Sequence, residues 1–229
     1  MRKLAVILVA LALVAVSFYG CDETNLMEPE AAAGPSFSSA GIRASSSSTF
    51  DSNDEGWTLV GDSQGGLGMG GSFWLQPHHV ATGGNPGGAV YGVDRGQGMA
   101  WYWNAPYKFL GNRSGVHGGS LEYDIKISGC GTIFSASDVI LAGAGTTLVV
   151  NVMGSNHPSL EWTHYRADLS TDAEWRVGNP WTGSLATDDQ IRSVLKDLQI
   201  LRIRGEYLNC GGDLGYLDNV RLVPRGQSK

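Results

Sequence analysis

The chain has 229 residues, of which 42% are hydrophobic and 17% charged, so we expect one medium-sized domain with a real core, alone or with a tail. The formal charge is −6 and no basic cluster stands out, which argues against nucleic acid as a partner. The 33 glycines, 7 tryptophans and 8 tyrosines favour an all-β architecture rich in turns over a helical one.

The first 20 residues have the pattern of an export signal. Two basic residues precede an uncharged apolar run from Leu4 to Val16, and small and polar residues follow. The run is shorter than the roughly 20 apolar residues that span a membrane. Gly20 before Cys21 resembles the lipobox of bacterial lipoproteins, which implies that Cys21 is lipidated and anchors the chain at the membrane of a bacterial cell envelope. The alternative is ordinary secretion after cleavage nearby.

The cysteine count is compatible with a lipid anchor. The chain has three cysteines, Cys21, Cys130 and Cys210, and an odd thiol is awkward in an exported protein. If Cys21 carries lipid, Cys130 and Cys210 are free to pair in an oxidising compartment. Such a bridge closes a long loop, worth about 4 to 5 kcal/mol in the chain-entropy model. The alternative is two buried free thiols.

Residues 21–49 have the composition of a flexible tether. They are rich in Ser, Ala, Gly and Pro and lack a sustained hydrophobic period, so they bury too little apolar surface to offset the entropy of ordering. We therefore expect a tether over 21–49, a folded domain over 50–224 and a short tail over 225–229.

From Phe50 onward, short alternating segments and glycine-rich turns predict strands. The clearest is "SLEYDIKIS", in which four apolar residues alternate with polar ones, as expected of a half-buried strand. The segments "SDVILAG" and "TTLVVNVMG", joined at "AGAG", predict a hairpin.

One short helix interrupts the strands. Thr187 and Gln190 have the spacing of a capping box, and two acidic residues occupy the first turn, where the helix dipole favours negative charge. An apolar stripe follows, formed by Ile191, Val194, Leu195 and Leu198. The helix is too short to be stable alone, so it must pack on the sheets.

Several ordered segments resemble the laminin IV (laminin B) domain. They are "GW" at Gly56, "YWNAPYKFLGN", "GGSLEYDI", "DVILAGAGTTL", "WTGSLATDDQIRSVLKDLQILRIRGEY" and "LDNVRL". The resemblance covers roughly Phe50 to Pro224. The resemblance implies a galactose-binding-like jelly-roll β-sandwich, in agreement with the strand pattern, and a mainly structural role. It implies no catalytic activity.

The acidic stretch "TFDSNDEGW" and the late segment "YLDNVRL" resemble the calcium-binding positions of jelly-roll carbohydrate-binding modules. The resemblance implies a structural Ca²⁺ held by Asp51, Asp218 and the Thr49 carbonyl, and carboxylate and carbonyl oxygens are the ligands that Ca²⁺ prefers. An ion bound there would join the first and last strands. The alternative is a solvated acidic turn, with Asp218 accepting backbone N–H bonds.

The aromatic residues suggest a binding surface. Most large aromatic side chains are expected in the core, but Trp175 and Trp181 lie in the loop-like "EWRVGNPWTG" and are the candidates for stacking on a sugar ring. We therefore expect a non-catalytic binding or structural module at the envelope, whose partner is a glycan or an envelope protein. A carbohydrate-binding module using these loop aromatics is the second hypothesis, and an envelope hydrolase is the remote third.

Overall fold

The computed structural model describes residues 45–61, 74–94 and 100–227. The predicted signal, Cys21 and most of the predicted tether lie outside these residues. No helix within the described part of the chain is both long and apolar enough to cross a membrane.

Short strands dominate the described residues, with one α-helix, α1 (Asp188–Lys196). The strands are β1 (Ser46–Ser48), β2 (Thr58–Gly61), β3 (Trp74–Leu75), β4 (His78–Val80), β5 (Ala89–Val93), β6 (Trp101–Asn104), β7 (Ser120–Ser128), β8 (Val139–Gly143), β9 (Thr146–Val150), β10 (Thr163–Asp168), β11 (Arg176–Val177), β12 (Leu198–Arg204) and β13 (Leu214–Val223).

The strands form two antiparallel sheets that pack face to face. The first sheet has the order β10-β7-β13-β5-β4, with β1 added beside β13, and the second has the order β11-β9-β8-β12-β6-β2-β3. Side chains from both sheets fill the space between them, among them the fully buried Trp103, Tyr123, Leu141 and Leu217. The predicted all-β jelly-roll β-sandwich with one short helix is confirmed.

The first and last described strands are neighbours, but the folded region starts before residue 50. Ser46–Ser48 of β1 pairs with the end of β13, from Ser46 opposite Leu222 to Ser48 opposite Val220. The buried Ser48 hydroxyl also accepts a hydrogen bond from the indole N–H of Trp57 at 2.9 Å. Backbone pairing needs no apolar side chains, so a serine run that composition assigns to the tether forms a strand here.

The strand β7 is more buried than its alternating sequence predicts. Its apolar positions face the core as expected. However, Glu122 and Asp124 on the opposite face are only 3% and 4% exposed. Side chains from the neighbouring β10 and β13 lie over these acids, so neither face of β7 is open to solvent at its centre.

The predicted hairpin and helix are confirmed. The strand β8 pairs with β9 from Val139–Val150 to Gly143–Thr146. The capping box is present in full at α1, because the Thr187 hydroxyl accepts from the Gln190 N–H and the Gln190 side chain accepts from the Thr187 N–H. Leu198 is buried as expected but belongs to β12, since the helix ends at Lys196.

The predicted disulfide is also confirmed. Cys130 and Cys210 are bonded, with their Cα atoms 6.0 Å apart. The bond joins the segment after β7 to the segment before β13, and thus closes a loop that contains most of the second sheet.

Candidate functional site

The outer face of the first sheet, which points away from the core, contains a layer of buried acids under basic side chains. The two oxygens of Glu122 are bonded by Arg166 Nη1 at 2.9 Å and Arg221 Nε at 2.8 Å. Burial by itself would raise the pKa of Glu122. Hydrogen bonds from Ser120 and Arg221, together with the charges of Arg221 and Arg166, outweigh burial and lower that pKa below its ordinary value. Glu122 therefore stays ionised and holds both guanidinium groups in place.

Asp124 lies beside this pair at the edge of a cavity of about 400 Å³. Its Oδ1 is 2.7 Å from Nδ1 of the exposed His164, and its Oδ2 accepts hydrogen bonds from Asn85 and Asn219. The cavity is bounded on one side by Asp124, His164 and Arg221 and on the other by residues 47–49 at the end of β1. Its wall therefore offers both hydrogen-bond donors and acceptors.

An aromatic row runs across the same face, formed by His78, Tyr91, Tyr216 and Trp162, with Lys126 lying against it. The ring centroids are 4.8 Å apart for His78–Tyr91, 5.5 Å for Tyr91–Tyr216 and 6.4 Å for Trp162–Tyr216. The Lys126 Nζ lies 4.6 Å from the Tyr216 centroid and 4.8 Å from the Trp162 centroid.

The register of the sheet explains why the row is continuous. Tyr91 lies directly opposite His78 on one side and Tyr216 on the other, and Tyr216 lies opposite Lys126. Directly opposed residues in an antiparallel sheet have side chains on the same face, so the row crosses β4, β5, β13 and β7 at nearly one level. Trp162 comes just before β10, and its indole lies against Lys126 and Tyr216 and donates a hydrogen bond to the Gly83 carbonyl at 3.2 Å.

Sequence reasoning did not select this row. The available signal was that Tyr91 and Tyr216 occupy outward positions in alternating segments, "AVYGV" and "LGYLDNV". The pairing of those two segments could not be read from the sequence.

Of the two tryptophans that were selected, Trp175 does not lie on a binding surface. It is 1% exposed, belongs to the core, and its indole N–H donates to the Asp168 carbonyl at 2.8 Å. A ring enclosed in this way cannot stack on a sugar, so the choice of Trp175 was wrong. Its segment looks like a loop, but the indole turns back onto the sandwich.

Trp181 is exposed, as expected for a loop residue. It retains 50% of its accessible surface. The turn that presents it is held by Asn179, whose side-chain oxygen accepts from the backbone N–H groups of Trp181 and Thr182, both at 2.9 Å.

The predicted calcium ligands meet around a glycine-rich loop, residues 84–88. Asp218 is fully buried, and its two oxygens accept from the backbone N–H groups of Asn85 at 2.6 Å and Asn219 at 2.7 Å. Asp51 contacts the other end of the loop, where its Oδ1 accepts from Gly88 at 3.4 Å. The loop needs glycine there, since a Cβ on Gly88 would lie 2.1 Å from the Phe50 carbonyl oxygen.

Asp51, Asp124 and Asp218 form an acidic junction beside this loop, and the pKa of Asp218 is raised there. Burial is the largest cause and the charges of Asp124 and Asp51 add to it, while hydrogen bonds from Asn85 and Asn219 oppose it; the resulting pKa is about 6. Thr49 is nearby, and its hydroxyl donates to Asp51 Oδ2 at 2.8 Å. Within the described residues, no three His, Cys, Asp or Glu side chains converge as a ready-made metal site. A cation here would thus depend on backbone oxygens as well.

A second acidic cluster lies between the ends of β5, β12 and β13. Asp94, Glu206 and Asp213 are 7%, 5% and 2% exposed. Burial, followed by the charges of Asp94 and Asp213, raises the pKa of Glu206 to about 8 even though it accepts from the Trp101 N–H. Burial and the Asp94 charge raise the pKa of Asp213 to about 6. These acids pack together at an electrostatic cost and were not selected from the sequence.

Ser114 and His117, which are close in sequence, are not arranged for nucleophilic catalysis. The Ser114 hydroxyl donates to Asn112 Oδ1 at 2.7 Å, and His117 Nε2 is 2.8 Å from Asp188 Oδ1. Each side chain is thus bonded to a different partner. A hydrolytic pair would place the imidazole on the hydroxyl.

Known proteins match this chain in both sequence and fold. Laminin subunit gamma-1 of Xenopus tropicalis is 30% identical over 191 residues, covering 81% of this chain and 11% of that protein. Human laminin subunit gamma-2 is 36% identical over 124 residues, covering 53% of this chain and 10% of that protein. The chain therefore spans about a tenth of the length of these relatives.

The fold has a solved counterpart in the L4b domain of human laminin alpha-2. The two align with a TM-score of 0.58 at 14% sequence identity, covering 79% of this chain and 98% of that domain. The model of the Laminin B (Domain IV) family matches residues 102–225, which is more than half of the chain. The chain therefore belongs to the laminin B (domain IV) family.

Proposed function

We propose that the chain is an exported, non-catalytic binding module that acts at the cell envelope. Two observations support export. The Cys130–Cys210 disulfide is typical of an oxidising compartment, and a Caenorhabditis elegans relative that is 31% identical over 112 residues, covering 3% of that protein, is a basement membrane proteoglycan. Membership of the laminin B (domain IV) family supports a structural or binding role. The site on the first sheet supports the choice of ligand that follows.

The ligand that the geometry supports best is a glycan bound on the outer face of the first sheet. The observation on which this depends is the aromatic row beside the 400 Å³ cavity. Aromatic rings that keep part of their surface exposed offer apolar area to the faces of sugar rings. Asp124, His164 and Arg221 at the cavity supply the fixed polar groups that orient hydroxyls. An open surface that crosses four strands, as this row does, suits a polymer better than a small molecule.

A glycan array on the native protein tests this proposal. We expect Tyr91→Ala and Tyr216→Ala each to weaken binding of the best glycan by about tenfold, because each removes the stacking area of one ring, and about 1.4 kcal/mol corresponds to that factor. Trp181→Ala is the matched control, since it removes an exposed aromatic ring from a loop outside the row.

The control variant also separates the two possible glycan sites. If Trp181→Ala abolishes binding while both tyrosine variants bind normally, the ligand sits on the loop and the outer face is not the site. If no glycan binds the native protein, the proposal of a carbohydrate ligand is wrong. Unchanged melting temperatures would show that the variants are folded.

We also propose that Cys21 carries a lipid that holds the module at a membrane. The support is the Gly20–Cys21 pair after the apolar run. When the full chain is expressed in a bacterium, we expect it to take up labelled fatty acid and to sediment with membranes. Cys21→Ser should be exported without label and remain in the soluble fraction. An unlabelled native protein in the soluble fraction would instead indicate ordinary secretion.

Finally, we propose that the acidic junction binds a structural Ca²⁺ through Asp51, Asp218 and nearby backbone carbonyls, including that of Thr49. The support is chemical: like charges are gathered in a buried place, and the pKa of Asp218 is raised as a result. A divalent cation would relieve that repulsion. It would also join the acidic turn after β1 to β13.

A further inference from the structure

We propose that the glycan recognised by the outer face is acidic, which means that it carries uronate carboxylates or sulfate groups. This inference rests on the glycan-binding function proposed above and adds the charge of the ligand. It depends on where the face keeps its acids and where it presents its bases.

Lys126 is the first observation. Its Nζ lies against the rings of Tyr216 and Trp162, at 4.6 and 4.8 Å from their centroids. Among the residues that the structure describes, Lys126 forms no ion pair with a carboxylate. Contact with two ring faces fixes the position of the ammonium group without cancelling its charge. The row therefore holds a positioned cation in the place where a polymer chain would pass.

The basic groups on the outer face, of which His164 and Arg221 line the cavity, are the second observation. The side chains of His164, Arg166 and Arg221 keep 55%, 39% and 44% of their surface exposed. The acid that binds both arginines, Glu122, keeps only 4%. Arg166 also pairs with Asp168, whose side chain is 42% exposed, so its charge is met at the surface. Arg221 pairs with the buried Glu122 and therefore presents its guanidinium above the carboxylate.

The third observation is the contrast with the rest of the molecule. The chain as a whole has a formal charge of −6, so its general field repels anions. The half-buried Lys126 and the partly exposed Arg221 on such a protein favour an anionic ligand at that place, because local charges dominate within a Debye length of about 8 Å at physiological salt. Arginine binds planar carboxylate and sulfate groups through paired N–H bonds.

A matched pair of polymers tests the inference. Polygalacturonate and its fully methyl-esterified form have the same backbone and differ in charge, and dextran sulfate and dextran form a second pair that tests sulfate. We expect at least one charged polymer to bind at least tenfold more tightly than its neutral partner, with an affinity that falls as salt rises. The uronate and sulfate arms distinguish the two sources of negative charge.

Variants of Lys126 show whether the row is responsible. We expect Lys126→Gln to bring the affinity for the charged polymer close to that for the neutral one, and Lys126→Arg to preserve most of the difference. Lys196→Gln is the control of equal charge change, since Lys196 is an exposed residue at the end of α1, which packs on the second sheet.

Three results would overturn the inference. Equal affinity for the charged and neutral partners would show a glycan site with no preference for charge, and the proposed glycan function would stand. Equal losses in Lys126→Gln and Lys196→Gln would show attraction to total charge only. No binding to any of the four polymers would contradict the proposal of an acidic ligand. The glycan array would then decide separately whether the protein binds a glycan at all.

Discussion

Removal of the Cys130–Cys210 disulfide is expected to lower the melting temperature by about 10 °C or more. The bond links residues 80 positions apart. In the chain-entropy model, a loop of this length restricts the unfolded chain enough to stabilise the fold by about 4 to 5 kcal/mol. For a domain of this size, each kcal/mol corresponds to about 2–4 °C.

The native structure around the bond should survive its loss. Next to the cysteines, Thr132 N–H donates to the Asn209 side chain at 2.8 Å and Asn209 N–H donates to the Thr132 carbonyl at 3.1 Å. Ile133 and Leu208 form a further antiparallel bridge. These contacts hold the two segments together without the sulfur atoms, so the effect of the bond lies mainly in the unfolded state.

Denaturant unfolding of the native protein and of the Cys130→Ser/Cys210→Ser double variant measures this effect. We expect a lower midpoint and also a larger m-value in the variant, because an unfolded chain without the cross-link exposes more surface. The native protein with reductant should match the variant. A midpoint within experimental error of the native value would contradict the prediction, and mass spectrometry of the native protein would confirm that the bond was present.

Local signals in the sequence predicted the elements whose determinants are local. The helix α1 has its cap, first-turn acids and apolar stripe within a dozen residues, and the hairpin β8–β9 has its glycine-containing turn between two apolar segments. The order of strands in each sheet depends on pairings between distant segments, such as β13 with β7 and β5. The resemblance to a known domain family implied the two-layered sandwich, but it did not give this order of strands.

The candidate site was harder to predict because it depends on sheet register. Tyr91 and Tyr216 are far apart in the chain and adjoin only because β5 pairs with β13 at that level. The exposure of an aromatic residue also cannot be read from local composition, as the buried Trp175 and the exposed Trp181 in one segment show. Asp51 and Asp218, which the sequence pairs as calcium ligands, both contact the 84–88 loop, since residues near the first and last strands of a jelly roll adjoin.

The second large effect that we expect is a loss of stability as the pH rises from 5 to 8 in the presence of a chelator. Asp213 and Asp218 have pKa values of about 6 and Glu206 of about 8 in the folded protein, all above their ordinary values. A raised pKa means that the folded state binds the proton more tightly. The stabilisation is therefore complete below the unfolded pKa and disappears as the pH passes the folded one.

The magnitude follows from the size of the shifts. For Asp218 alone, a rise from 3.8 to about 6 corresponds to about 3 kcal/mol in all, at about 1.4 kcal/mol per pKa unit, and about half of it is lost between pH 5 and 8. The rise of Glu206 from 4.5 to about 8 lies mostly inside this range and gives the larger part of the decline. Glu55 and Glu122 have lowered pKa values, so their stabilisation is lost only in more acidic solution. They do not mask the trend between pH 5 and 8.

Calcium should reverse part of this loss, and only at the higher pH. At pH 8, above its pKa of about 6, Asp218 is ionised and can bind the cation, and a concentration a hundredfold above the dissociation constant would add about 2.7 kcal/mol. At pH 5 the proton on Asp218 competes with the cation. Thermal melts at both pH values, with calcium or with chelator, measure the two effects together.

Two variants assign the effects to the two acidic clusters. Asp218→Asn should abolish the response to calcium and keep the decline above pH 7, which belongs to Glu206. Glu206→Gln should remove that decline and keep the response to calcium. Identical midpoints with calcium and with chelator at pH 8 would disprove the calcium site. A stability that does not change from pH 5 to 8 in chelator would show that the buried acids pair with charges that compensate them, because an uncompensated carboxylate buried beside another one must favour its protonated form.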